Sequence, residues 1–183
     1  MNAADSIQRL RLGDHLCCIY ETDEEHRAIL TPFIRSGLER EHKILYVVDA
    51  RTAETVFGYL EQDGLDPEAY RRSGRLVVAD SRETYTRGGV FDPDSMLELL
   101  QAETDKAMAE GYEALRVTGE MSWALRGLPG SERLMEYEGK LNQFFPNKPC
   151  IGMCQYDMRR FEPEFLLDVL ATAGVMEHSW IVV

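Results

Sequence analysis

Apolar positions along this chain alternate between two rhythms. Five short, nearly continuous apolar runs read as strands: His15–Tyr20 (HLCCIY), with the content of a strand buried on both faces, Lys43–Asp49 (KILYVVD), Arg75–Asp80 (RLVVAD), Ala114–Trp123 (ALRVTGEMSW) with its exit, and Cys150–Tyr156 (CIGMCQY). Between them the spacing becomes helical. Ile29, Leu30, Phe33, Ile34 and Leu38 follow Thr22-x-x-Glu25, a pattern that fits a capping box, and Pro32 predicts a kink or a later start. Val56, Phe57 and Leu60 mark a helix over Thr52–Gln62, closed by Asp63-Gly64, and Pro67–Arg72 reads as a short helical connector. Asp92-Pro93 opens a helix to about Glu110 with Met96, Leu99, Leu100 and Met108 inward. Leu134, Tyr137, Leu141 and Phe144 predict another over Ser131–Phe145, and Pro163–Ala173 a last one. Residues 1–12 read as a short polar lead-in with a helical turn, Ser81–Phe91 as a flexible loop over a site, and Val175–Val183 as an edge strand.

Strands that alternate with helices imply a three-layer α/β/α domain with a mostly parallel central sheet. Residues 1–183 are expected to form one domain, with no repeat or linker. In such sheets ligands bind beyond the carboxyl ends of the strands. Candidate positions are therefore Tyr20–Asp23, Asp49, Asp80–Tyr85, Gly119–Trp123 and Gln155–Arg159.

The turn after the first strand decides one question. A phosphate-binding loop needs glycines, a lysine and a Ser/Thr. Here Glu21-Thr22-Asp23-Glu24-Glu25 offers no glycine, no lysine and four carboxylates, which would repel a triphosphate. Glu120 could orient a water in an ATPase. Without a phosphate loop it reads better as an acid that lines a polar cleft or pairs with Arg116 or Arg126.

The sharpest local chemistry is His15, Cys17 and Cys18. Residues two apart on a strand share a face, so His15 and Cys17 point one way and Cys18 the other. Such a set could hold a soft metal or haem iron, or act as a redox sensor. The same cysteines also fit as small core residues, with His15 hydrogen-bonded at the strand entry. Cys150 and Cys154 share a face of the fifth strand, and Cys17 could approach one of them if the two strands were neighbours. Tyr85, Met121, Trp123 and Tyr156 suit an apolar small-molecule wall or ordinary core packing. His26, His42 and His178 are scattered and read as surface or packed histidines.

Composition narrows the partners. A net charge of −12 disfavours a nucleic-acid surface or an anionic membrane face. No apolar run reaches the roughly 18–20 residues of a membrane span, and Met1–Arg11 lacks a signal-peptide core. A cytoplasmic setting is expected, with the four cysteines as thiols.

Four ordered stretches carry a family resemblance. They are Gly-Asp-His-Leu-Cys at 13–17, Gly-Leu-Glu-Arg at 37–40 before Lys43-Ile-Leu-Tyr-Val, Arg-Val-Thr-Gly-Glu-Met-Ser-Trp at 116–123, and Cys-Gln-Tyr-Asp-Met-Arg-Arg-Phe at 154–161. Together they resemble the MEDS domain, the methanogen/methylotroph, DcmR-type sensory domain, over nearly the whole chain. The resemblance implies a divergent RecA/KaiC-like fold without a functional phosphate loop. It implies a sensor of small hydrocarbon derivatives, including chlorinated or methylated one-carbon compounds. Such domains accompany histidine kinases, response-type modules or helix-turn-helix regions. The family's first-strand His and Cys correspond to His15 and Cys17, its strand-end acid and aromatic to Glu120 and Trp123, and its Cys-Gln-Tyr-Asp motif to 154–157. A His-Pro expected near the end is replaced by His178-Ser179.

The expected function is a non-catalytic sensory domain. A small, largely apolar ligand would bind through His15, Cys17, Tyr20, Tyr85, Glu120, Trp123, Gln155 and Tyr156. The output would be a histidine kinase or helix-turn-helix partner, with no direct nucleic-acid or membrane binding and a possible homodimer. Two alternatives stand beside it: a metal or haem redox sensor built on His15, Cys17 or Cys18, and a degenerate RecA-like nucleotide-binding protein.

Overall fold

The computed structural model describes residues 3–173 and 180–182. Six strands form one sheet: β1 (His15–Tyr20), β2 (Lys43–Val48), β3 (Leu76–Asp80), β4 (Leu115–Glu120), β5 (Cys150–Asp157) and β6 (Trp180–Val182). Their order is β3-β2-β4-β5-β1-β6, and every pairing is parallel. The expected edge strand is thus described only at Trp180–Val182, and His178 lies outside the described residues. β1 and β2 follow each other in the chain but have β4 and β5 between them. Cys17 of β1 lies in register with Cys154 of β5, which meets the condition for the two thiols to meet.

Strand alternation sorts side chains into two cores. On one face Cys17, Ile19, Leu45, Val47, Leu115, Val117, Cys154 and Tyr156 pack with Met96 and Leu100 of α5 (Pro93–Ala109), Leu134, Tyr137 and Leu141 of α6 (Leu134–Phe144), and Val169 of α7 (Pro163–Ala173). On the other, Leu16, Cys18, Tyr20, Ile44, Tyr46 and Met153 pack with Ile7 of α1 (Ala3–Gln8), the apolar stripe of α2 (Asp23–Glu39), and Val56 and Leu60 of α3 (Ala53–Gln62). Each fully buried aliphatic side chain contributes about 1.5–3 kcal/mol. α4 (Pro67–Arg72) is the short connector before β3.

The Thr22 capping box forms in full, with Glu25 N–H donating to Thr22 Oγ1 and the Glu25 carboxylate accepting from Thr22 N–H. α2 therefore starts at Asp23 and runs through Pro32, so the later start does not occur. The lead-in also differs from expectation, because Ile7 and Leu10 are buried against α2. Ser81–Phe91 is not a free flap. Ser81, Tyr85, Thr86 and Phe91 are buried, and Phe91 N–H donates to Pro129 O at 2.9 Å. Its aromatic residues bury enough apolar surface to hold the backbone down.

Candidate functional site

Two polar clusters lie on opposite faces of the sheet. The first is built from β1, β5 and α6. His15 and Cys17 stand two apart on β1, Cys154 and Tyr156 two apart on β5, and all four face α6. Glu138 projects into this layer from α6 and is only 1% exposed. Its Oε1 accepts from Tyr156 Oη at 2.5 Å and its Oε2 from Cys17 Sγ at 3.4 Å. His15 Nε2 lies 3.4 Å from Glu138 Oε2 and 3.5 Å from Cys154 Sγ.

The histidine tautomer follows from its neighbours. Asn142 Nδ2 donates to Thr172 O at 3.0 Å, which leaves Asn142 Oδ1 as an acceptor 2.8 Å from His15 Nδ1. His15 Nδ1–H therefore donates, and Nε2 faces Glu138 and the Cys154 thiol. The imidazole also stacks on Phe145 at 5.3 Å between centroids. Burial, then the Glu138 charge, pushes the Cys17, Cys154 and Tyr156 protons to be held well above their ordinary pKa values.

Beside this cluster the packing opens slightly. A cavity of about 10 Å³ lies among Tyr85, Leu100, Gly119, Tyr137, Leu141, Phe145, Gly152 and Cys154. That volume takes at most one water. It has no room for a porphyrin. The two glycines let aromatic side chains lie on the sheet. A Cβ at Gly119 would come within 2.2 Å of Tyr85 Oη, and one at Gly152 within 2.1 Å of Phe145 Cζ. Tyr85 stacks on Trp123 at 5.1 Å, and Phe91 meets Trp123 at 4.4 Å. Trp123 is fully buried, and its Nε1 has no hydrogen-bond partner among the described residues.

The second cluster sits at the carboxyl ends of the strands, on the α2 face. Glu120 pairs with neither Arg116 nor Arg126. Its Oε2 accepts the consecutive backbone N–H groups of Asp49, Ala50 and Arg51 at 3.2, 2.6 and 3.1 Å. Its Oε1 accepts from Tyr46 Oη at 2.8 Å. Arg126 instead pairs with Asp49, which also accepts from Ser81 and Ser122. Arg116 is fully buried and donates to Phe33 O, Ser36 Oγ and His42 Nδ1. Burial, then Arg40, lowers its pKa to about 10.

Gln155 donates to Thr118 Oγ1 at 2.6 Å, and its Oε1 lies 2.5 Å from His26 Nε2. Arg51 donates to Tyr20 Oη and to Asp23, both at 2.7 Å, and Arg159 joins Asp23 at 3.0 Å. The turn after β1 is thus closed by the protein's own ion pairs, and a convergent set of backbone N–H groups at the strand ends is filled by the protein's own carboxylate.

A family model described as MEDS, the MEthanogen/methylotroph, DcmR Sensory domain, matches residues 14–172. The chain belongs to the MEDS family. This MEDS chain is 26% identical over 158 residues to the transcriptional repressor DcmR of Methylorubrum extorquens (strain DSM 6343 / CIP 106787 / DM4). The match covers 86% of this chain and 57% of the repressor, so the chain spans little more than half the length of that relative. A sensory role in regulation is the common ground of the family and this relative. The fold is RecA-like. A crystal structure of a KaiC-like protein from the archaeon Pyrococcus horikoshii OT3 superposes with a TM-score of 0.57 at 18% identity, covering 81% of this chain and 62% of that one. Among the described residues no helix is long and apolar enough to cross a membrane.

The sequence-derived site residues of this MEDS domain divide between the clusters. His15, Cys17 and Tyr156 come together on the α6 face, with Tyr85 and Trp123 on the same side of the sheet. Tyr20, Glu120 and Gln155 gather on the opposite side. His15 and Cys17 do not sit beyond a strand end, since they lie at the start and middle of β1, whereas Tyr85 and Trp123 follow the ends of β3 and β4. Cys18 faces the α2 core, away from His15 and Cys17, and burial lifts its pKa to about 12. Sequence reasoning missed Glu138 and Asn142. The signal was present, since Glu138 occupies an apolar-stripe position between Leu134 and Leu141.

Proposed function

We propose that this MEDS domain senses a small, largely apolar molecule, a hydrocarbon or one-carbon derivative, and controls a transcriptional or two-component output without catalysing a reaction. The observation that carries this reading is the buried His15–Cys17–Glu138–Tyr156–Cys154 cluster, set beside a small cavity walled by Tyr85, Tyr137 and Phe145. Apolar walls with a few convergent polar groups are the usual composition of a small-molecule pocket. A cavity of about 10 Å³ must widen to admit even a one-carbon compound. Widening it means moving Tyr85 or Phe145, the rings that rest on Gly119 and Gly152. Tyr85 lies on the segment leading to α5, so its displacement would move the Ser81–Phe91 segment and the helix after it. A ligand that prefers the widened state shifts the population toward it. A kinase or helix-turn-helix partner would read the shift.

The test is tryptophan emission from the folded chain, titrated with a panel of chlorinated and methylated one-carbon compounds. A saturable change is expected with at least one of them. It should be lost in Trp123→Phe if Trp123 reports it, and its midpoint should weaken at least tenfold in His15→Ala. No saturable response from any compound, or an unchanged midpoint in His15→Ala, would reject the site.

A further inference from the structure

Three contacts within the first cluster have the spacing of neighbouring ligands on one metal ion. Two ligand atoms bound tetrahedrally to one zinc-class ion, at about 2.0–2.3 Å each, stand about 3.3–3.8 Å apart. Three contacts string the four groups together at that spacing: Cys17 Sγ to Glu138 Oε2 at 3.4 Å, Glu138 Oε2 to His15 Nε2 at 3.4 Å, and His15 Nε2 to Cys154 Sγ at 3.5 Å. One ligand atom from each of His15, Cys17 and Glu138 lies within 4.8 Å of the other two, while Cys154 Sγ stands outside that mutual distance and would close on the ion from its 3.5 Å contact with His15 Nε2. We propose that His15 Nε2, Cys17 Sγ, Cys154 Sγ and a Glu138 oxygen form a buried tetrahedral site for a divalent ion of the zinc class. The inference shares its cluster with the sensory reading and rests on that cluster being a site.

The surrounding shell supports a metal-ligating role for each group. A ligating histidine characteristically donates its second ring N–H to a fixed acceptor, which orients the ring and raises its basicity. Asn142 Oδ1 is that acceptor at 2.8 Å, and Thr172 O holds the amide in place. The carboxylate is oriented in the same way, because Tyr156 Oη donates to Glu138 Oε1 while Oε2 faces His15 and Cys17. Glu138 and Asn142 are one turn apart on α6, so one helix supplies both a ligand and the group that aims another. Thiolates with an imidazole select soft or borderline ions over magnesium or calcium. On binding, the two thiols give up their protons to solvent and form two sulfur–metal bonds. The imidazole lone pair and the carboxylate complete the shell, with no change of oxidation state.

The test is cobalt loading of the full chain, by refolding with Co²⁺ because the ligands are buried. Wild type is expected to take one equivalent, with a thiolate-to-cobalt charge-transfer band, tetrahedral visible bands and displacement by Zn²⁺. The charge-transfer intensity should fall by about half in Cys17→Ser or Cys154→Ser and vanish in the double variant. It should persist in Cys150→Ser, which lies on the same strand but outside the cluster. Zinc-edge X-ray absorption of loaded wild type counts sulfur ligands with no substitution, so poor folding of a variant does not block the test. No charge-transfer band in wild type, a band that survives in the double variant, or a zinc shell without sulfur overturns the proposal. Cobalt binding without any response to one-carbon compounds keeps this inference and rejects the sensory reading. A response by protein that forms no cobalt band does the reverse.

Discussion

Glu120 illustrates how one carboxylate can be taken up wholly by the fold. It stands at the end of β4, where an acid facing a nucleotide would be expected, but its oxygens are fully engaged. Three successive N–H groups from the Asp49–Arg51 turn and the Tyr46 hydroxyl all donate to it. Removing it strands the buried Tyr46 hydroxyl and three half-buried N–H groups, so Glu120→Ala is expected to cost about 1–3 kcal/mol. Glu120→Gln should cost less than half of that, since an amide oxygen still accepts. Urea unfolding midpoints measure both, and an alanine variant as stable as wild type would remove this role. The sequence identified Glu120 as chemically special, but its partners come from a turn about seventy residues away in the chain, which no local pattern encodes. Glu138 is the opposite case. It lay in plain view in the α6 stripe, yet an acid on a helix is ordinarily read as solvated.

The elements were more legible than their termini or their neighbours. Continuous apolar runs identify the doubly covered strands, and a Thr-x-x-Glu pattern marks the start of α2. Pro32 misleads because its missing N–H and fixed φ were weighed without the packing that carries the helix past it. Ile29, Leu30, Phe33, Ile34 and Leu38 are all buried. Ser81–Phe91 misleads for a related reason, since its polar composition hides two aromatic anchors. Cap strength can be measured separately. Thr22→Ala should destabilise the fold by about 1 kcal/mol, with faster hydrogen exchange confined to the first turn of α2. Unchanged exchange at Glu25 and His26 would show that the box contributes nothing.

At the scale of the whole molecule, strand order explains which sequence expectations could be joined. Cys17 and Cys154 are neighbours because β5 lies beside β1, a fact of topology rather than of spacing. The same topology buries His26 under the sheet, packed by Tyr20, Tyr59 and Gln155 and facing the charges of Arg51, Asp23 and Asp157. Burial, then Arg51, lowers its pKa from 6.5 to about 4. His42 is lowered to about 4 by burial, then by Arg116 and Arg40. The unfolded chain therefore binds more protons than the folded one between those values. Stability is complete above about pH 6.5 and falls as pH drops, and His26 alone accounts for a loss approaching about 3 kcal/mol near pH 4. Unfolding midpoints across that range should slope accordingly, and His26→Gln should flatten the slope. A flat wild-type profile would contradict the burial of both rings.

The amide of Asn142 has a mechanical consequence. It grips the His15 ring with its oxygen and the Thr172 carbonyl, in the final turn of α7, with its nitrogen. A tilt of the imidazole would draw on that amide and, through it, on the helix end, so the sheet interior and the outer layer share one tether. Thr172 is half-buried, at the boundary where such a tug can reach solvent.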